Sequence, residues 1–150
     1  MATTFSNLVY HIVFSTKNRL PLIGRAERDP LYQYIGGIVR TERGALLEIG
    51  GMPDHIHLLV RFKPDFPVPA AVRTIKANSS RWWNARHGHN GRFEWQAGYG
   101  VFSVSESQVP RVQRYIQAQE EHHARVSFRD ELVELLNKHG IPFDERYLLG

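Results

Sequence analysis

Hydrophobic and polar positions first alternate in "LVYHIVFS", residues 8–15. Leu8, Tyr10, Ile12 and Phe14 fall on one face and Val9, His11 and Val13 on the other, the period-two pattern of a strand buried on both sides. A polar, turn-rich stretch follows. From Pro30 the period lengthens: Leu31, Ile35, Ile38 and Val39 share one face of a helix with Pro30 in its first turn, although Gly36 and Gly37 weaken it. "ALLEIGGM" (45–52) and "HIHLLVRF" (55–62) predict two strands joined by a turn of Gly, Pro and Asp, hence an antiparallel pair. Val72, Ile75, Ser79, Trp82 and Trp83 recur at helical spacing and predict a helix from about Pro69 to Arg86.

"HGHNGRFEWQAG" then reads as a loop and "YGVFSVS" as a fourth strand. A third helix is expected over 108–125, with Ser105 and Gln108 at capping-box spacing. A fourth is expected over 127–139, where Ser127 and Asp130 repeat that spacing and Gly140 marks the stop. The tail "IPFDERYLLG" carries no assignable pattern. The order β-α-β-β-α-β followed by two helices predicts an α+β, ferredoxin-like fold: a four-stranded antiparallel sheet with helices on one face, plus two additional C-terminal helices. Residues 1–150 read as a single domain with no internal repeat.

Composition narrows the function classes. A chain of 150 residues can bury a core without covalent staples, and no apolar run is long enough to span a bilayer. The N-terminus has no basic region ahead of its apolar part, so no signal peptide is expected. Cysteine is absent, which removes disulfides, thiolate nucleophiles and cysteine-zinc sites and is compatible with a reducing cytoplasm. Nineteen Lys and Arg against fifteen Asp and Glu leave a net charge of +4, a balance that suits a polyanionic partner.

Two motifs could carry chemistry. His55 and His57 are two apart on a strand, so their imidazoles leave the same face with Cα atoms roughly 7 Å apart and can meet at one metal. By spacing alone, polar residues on a half-solvated strand face are the plainer reading. Tyr115 and Gln119 are four apart on the third helix and share a face. An isolated pair of this kind also suits an amphipathic helix whose Tyr packs at the core edge. His122 and His123, seven and eight positions after Tyr115 and on roughly its face, could assist it or contact phosphate, but the plainer reading is of helix-end residues favoured by the dipole, outside the site. Of the other tyrosines, Tyr10, Tyr32, Tyr34, Tyr99 and Tyr147, none has a potential ligand one helical turn away. His87 and His89 repeat the His-x-His spacing in a glycine-rich loop that fixes no common direction, and are read as surface or phosphate-contacting residues.

Together, "YHIVFSTKNRLPL", "MPDHIHLLV", "WQAGYGVFSVS" and "VQRYIQAQEEHH" make nearly the whole chain resemble the HUH endonucleases, specifically the small single-tyrosine transposases of insertion sequences and the related REP-associated tyrosine transposases. The resemblance implies that His55, His57 and Gln119 bind a divalent cation, Mg²⁺ or Mn²⁺. It also implies that Tyr115 attacks a phosphodiester of single-stranded DNA to give a 5′-phosphotyrosine link and a free 3′-hydroxyl. Because that link conserves the phosphodiester energy, cleavage and rejoining, the steps of DNA transposition, are one reaction run in two directions. The implied substrate carries a hairpin near the cleavage position. The implied assembly is a homodimer, with each site combining histidines of one subunit and the tyrosine helix of the other, or a monomer.

For DNA binding, Arg73, Lys76, Arg81, Arg86 and Arg92 surround Trp82, Trp83 and Trp95, the mixture of cations and rings a single-strand binder needs. Trp82 and Trp83 also continue the apolar face of their helix, so at least one belongs to the core. Two other classes share the element order. A non-catalytic RRM-like module would want aromatics on the central strands, where "HIHLLVRF" offers imidazoles. A metal-free phosphoesterase would want a second His-x-Ser or His-x-Thr strand motif, which the sequence lacks.

Overall fold

A computed structural model describes residues 2–88 and 93–150. Strands β1 (Leu8–Ser15), β2 (Ala45–Met52), β3 (His55–Phe62) and β4 (Gly100–Val104) form one antiparallel sheet in the order β2-β3-β1-β4. With helices α1 (Arg25–Thr41) and α2 (Val68–His87) between them, this is the ferredoxin-like arrangement expected from the pattern. Helices α3 (Val109–Gln117), α4 (Gln119–His123) and α5 (Phe128–Lys138) follow.

Strand alternation divides the interior in two. Ile12, Phe14, Ile56, Leu58, Val60 and Phe62 point to one face and pack against α1 and α2 through Leu31, Ile35, Val72, Ile75 and Trp83. The intervening positions point the other way. There Val9 and Leu59 meet Val109 and Ile116 of α3, and Val13 and Phe102 meet Phe128 and Leu132 of α5. The two helices of the ferredoxin-like unit thus share one face, as expected, and the additional C-terminal helices cover the opposite face. This is why the central strands β1 and β3 are apolar on both sides.

Helix boundaries also differ from the pattern. α1 begins at Arg25 and takes Pro30 into its body, while Gly36 is buried without interrupting it. α2 ends at Gly88, whose φ of 62° is the left-handed cap that glycine adopts without Cβ strain. The expected helix over 108–125 is broken at Ala118 (φ −95°, ψ 24°) into α3 and α4. Ser105 does not cap it, since its hydroxyl pairs with that of Ser107 at 3.2 Å. Ser127 does cap α5, accepting from the Asp130 amide at 3.1 Å. No helix among the described residues is long and apolar enough to cross a membrane.

Candidate active site

The site lies where β3 and β1 face the C-terminal helices. The two-residue turn Pro53-Asp54 starts β3 so that His55 and His57 both leave on the α3–α5 face, opposite Ser15 and Val13 of β1. Both imidazoles are fully buried, not half-solvated. Gly50 of β2, paired with His57, makes room for α3: a Cβ there would stand 2.6 Å from the Ile116 carbonyl oxygen. Tyr115, next to Ile116, is thereby brought edge-on to His57, with ring centroids 5.7 Å apart.

Glu131 of α5 is the hub of the cluster. Its side chain is only 1% exposed, and its Oε1 stands 2.9 Å from His57 Nε2, 3.3 Å from His55 Nε2 and 3.2 Å from His123 Nε2. Its Oε2 accepts from the Tyr115 hydroxyl and, at 3.1 Å, from Gln119 Nε2. The amide oxygen of Gln119 lies 3.0 Å from His55 Nε2. Tyr115 and Gln119 thus converge with His55 and His57 within one chain, and the break at Ala118 does not separate them.

Partners on the far side orient the two strand histidines. Asp54 Oδ1 is 2.7 Å from His55 Nδ1, and His11 Nε2 is 2.7 Å from His57 Nδ1. Burial disfavours charge on all these rings, but the outcomes differ. Burial, then the neighbouring His57, brings His11 down to about 3, so it is neutral. Burial also lowers His57, an effect that Glu131 only partly offsets. For His55 the downward pull of burial is outweighed by hydrogen bonds to Asp54 and Glu131, which hold it up at about 9. Burial pushes Glu131 up, yet the imidazoles of His123, His55 and His57 set against it hold its carboxyl far below the usual range. Burial, followed by the Glu131 charge, pushes the Tyr115 phenol well above its ordinary value.

The donor chemistry fits a divalent cation. One ligand atom each from His55, His57, His123 and Glu131 lie within 4.8 Å of one another. His122 Nε2 and His123 Nε2 are buried beside the carboxylate but make no hydrogen bond among the described residues. Lone pairs left over at a buried site suit a metal better than a solvent-free ion pair.

His122 and His123 do end α4, as read, but their placement beside Glu131 corrects the reading of them as outside the site. His11, Asp54, His123 and Glu131 were missed. Glu131 had left one trace: it sits in the apolar stripe of its helix, three residues after Phe128 and beside Leu132. His11 had another, an inward position between Val9 and Val13.

The expected DNA-binding residues divide. Arg73 and Arg81 are exposed along α2. Arg86 is exposed over the Trp82 ring, 5.3 Å from its centroid, and Tyr34 also stacks on that ring. Lys76 points inward, donating to the carbonyls of Gln96, Ala97 and Gly98 at 2.8, 3.3 and 2.6 Å; burial lowers it to about 8. It is thus a loop anchor and not a free phosphate contact. Trp83 and Trp95 are core residues, whereas Trp82 is half-buried. Arg92 and His89 lie outside the described residues, and His87 stacks on Trp83 with its Nδ1 2.9 Å from the Trp83 carbonyl oxygen. Beside Tyr115 opens a cavity of about 400 Å³, lined in part by Phe102, Val112, Arg111, Lys138 and His139.

Residues 4–119 match the family described as IS200-like transposases. The chain is 26% identical over 117 residues to the ISDra2 transposase TnpA of Deinococcus radiodurans, covering 75% of this chain and 84% of that protein. Its fold is similar to the crystal structure of a transposase from Deinococcus radiodurans R1 (TM-score 0.65, 27% identity, 79% of this chain and 95% of the other). It is also similar to that of a REP-associated tyrosine transposase bound to a REP hairpin (TM-score 0.61, 15% identity, 84% and 76%). The second likeness is one of fold. α5, with Glu131, lies beyond the family-matched residues.

Proposed function

The chain belongs to the family of IS200-like transposases, and from that premise we propose that it cuts and rejoins single-stranded DNA with Tyr115 as nucleophile and a divalent cation held by His55, His57 and Gln119. One observation carries the reading: the Tyr115 hydroxyl and both strand histidines touch the same buried carboxylate, Glu131. An anionic oxygen is therefore accommodated within reach of all three. A scissile phosphate presents the same kind of oxygen.

In the forward step the Tyr115 oxygen bonds to phosphorus, the bond from phosphorus to the 3′ oxygen breaks, and the phenolic proton ends on the departing 3′-hydroxyl. Reversal with another 3′-hydroxyl joins strands. The cation, when bound, polarises the phosphate and favours the phenolate, which burial and Glu131 otherwise oppose. Asp54 and His11 fix the ring orientations of His55 and His57, so that their Nε2 atoms, turned toward Glu131, would be the ones to hold the cation. Glu131 Oε2 aligns the Tyr115 hydroxyl. The cavity beside Tyr115, with Arg111 and Lys138 on its wall, is wide enough for the adjoining nucleotide and supplies charge of the right sign.

The REP-associated relative is bound to a hairpin, and we propose a hairpin-bearing single strand as the substrate here too. All the groups invoked come from one chain, which supports assembly of the site within a monomer, the alternative to the homodimer.

The test is a labelled single-stranded hairpin oligonucleotide incubated with the protein and Mn²⁺ or Mg²⁺, then run on a denaturing gel. The wild type should acquire a covalent label. Tyr115→Phe should lose it while still retarding the DNA on a native gel. Adduct formed by Tyr115→Phe would move the nucleophile elsewhere. Binding without any adduct from the wild type would leave a non-catalytic, RRM-like nucleic-acid module.

A further inference from the structure

We propose that His123 and Glu131 are ligands of the same cation as His55, His57 and Gln119, so that the metal site draws its donors from β3, α4 and α5 and closes on the C-terminal helix. The inference rests on the cation reading above and extends it to residues beyond the family-matched segment.

The ring orientations carry the argument. His123 Nδ1 lies 2.6 Å from the Val126 carbonyl oxygen, an acceptor only, so Nδ1 bears the hydrogen and donates it. In the neutral ring, Nε2 then holds a lone pair. That nitrogen is buried, makes no hydrogen bond among the described residues and stands 3.2 Å from Glu131 Oε1. His55 is tied outward in the same way through Nδ1 to Asp54, and His57 through Nδ1 to His11. Three imidazoles are thus anchored by one nitrogen each and turn the other onto a single carboxylate oxygen. Anchoring of this kind by a carbonyl, a carboxylate or another polar group is how metal-binding histidines are held. Imidazole lone pairs turned onto a carboxylate oxygen repel it unless protons or a cation stand among them.

Donor count sets the consequence. Three imidazoles, one carboxylate and one amide oxygen leave a single position of a six-coordinate ion for a phosphate oxygen. An imidazole-rich set favours Mn²⁺ over Mg²⁺, which prefers oxygen ligands and retains its water. His122 is left out: its Nε2 faces Glu131 Oε2, the oxygen that accepts from Tyr115, and its side chain is 24% exposed.

The test is calorimetric titration of the whole chain with Mn²⁺ and with Mg²⁺ in the absence of DNA. The wild type should bind Mn²⁺ at least tenfold more tightly than Mg²⁺. His123→Ala and Glu131→Gln should each weaken Mn²⁺ binding tenfold or more, and Glu134→Gln on the exposed side of α5 should not change it. In case a variant fails to fold, pulsed electron spin resonance of Mn²⁺ on the wild type with ¹⁵N-labelled histidine counts the imidazoles directly, and three are expected. Two imidazoles, or affinities of both variants within twofold of the wild type while His55→Ala abolishes binding, would overturn the extended site and leave the cation reading intact. No Mn²⁺ binding by the wild type would overturn both.

Discussion

His11 Nε2 stands 2.7 Å from His57 Nδ1, although the two residues are not direct cross-strand partners: His11 of β1 is paired with Leu59, and His57 with Val13. The contact runs diagonally across the sheet and fixes the far side of an imidazole whose other nitrogen faces the site. His11 is neutral, so one of its nitrogens can accept the hydrogen of His57 Nδ1. His11→Ala is expected to weaken Mn²⁺ binding by about 10- to 100-fold, the usual effect of removing such a partner, with His11→Gln recovering part of the loss. Titration with Mn²⁺ measures both. Equal affinity for wild type and His11→Ala would remove His11 from the site.

Gly50 sets how closely α3 approaches the sheet. A Cβ at this position would meet the Ile116 carbonyl oxygen at 2.6 Å and its side chain at 3.0 Å, and a backbone oxygen cannot swing aside alone. Gly50→Ala should therefore shift α3 and the adjacent Tyr115, reducing covalent adduct at least tenfold at a stability cost of about 1–3 kcal/mol. Urea denaturation and the adduct assay report the two effects separately. Undiminished adduct would show that the approach of α3 is not limiting.

Lys76 and its helix neighbours Arg73 and Arg81 should behave differently. Lys76→Met leaves the carbonyls of Gln96, Ala97 and Gly98 without their donor and is expected to destabilise the fold by about 1–3 kcal/mol, with single-strand affinity little changed. Arg73→Ala and Arg81→Ala should do the reverse. An arginine that neutralises one phosphate contributes about 0.7 to the steepness of log K against log salt for a single strand, and its removal should flatten the line by that amount. Binding measured over a salt series would reject the assignment of either arginine whose removal leaves the slope unchanged.

Ser79 is buried in α2, where its hydroxyl donates to the Ile75 carbonyl at 2.6 Å and accepts from the Trp95 indole at 2.9 Å. Ser79→Ala strands the buried indole N–H and should cost about 1–3 kcal/mol. Ser79→Ala combined with Trp95→Phe removes the orphaned donor, so its cost should fall short of the sum of the two single changes. Strict additivity in chemical denaturation would show that the pair is not coupled.

Much of the scaffold was legible because alternation reports local geometry. Val9, His11 and Val13 against Tyr10, Ile12 and Phe14 already described a strand covered on both sides, and the element order then led to the ferredoxin-like sheet. The same alternation put His55 and His57 on one face. What covers that face was not legible: periodicity gives the direction in which a side chain leaves its own element and nothing about the element that meets it, so the additional C-terminal helices had no assigned place. Nor did spacing reveal the break at Ala118, after which α4, like α3, lies against β2.

The chain by itself determined the strand pair that aims two imidazoles together, the helical spacing that brings Tyr115 and Gln119 to one side, and the basic residues distributed along α2. Only the tertiary structure decided that His11 supports His57, that Lys76 is occupied by a loop, and that His123 and Glu131 join the strand histidines. Glu131 is 74 positions from His57 in the chain, and their contact at 2.9 Å exists because the apolar faces of β1, β4 and α5 pack together through Val13, Phe102, Phe128 and Leu132. Burial of those side chains fixes where α5 lies. The carboxylate is carried into the site by that packing, at a separation no local pattern encodes.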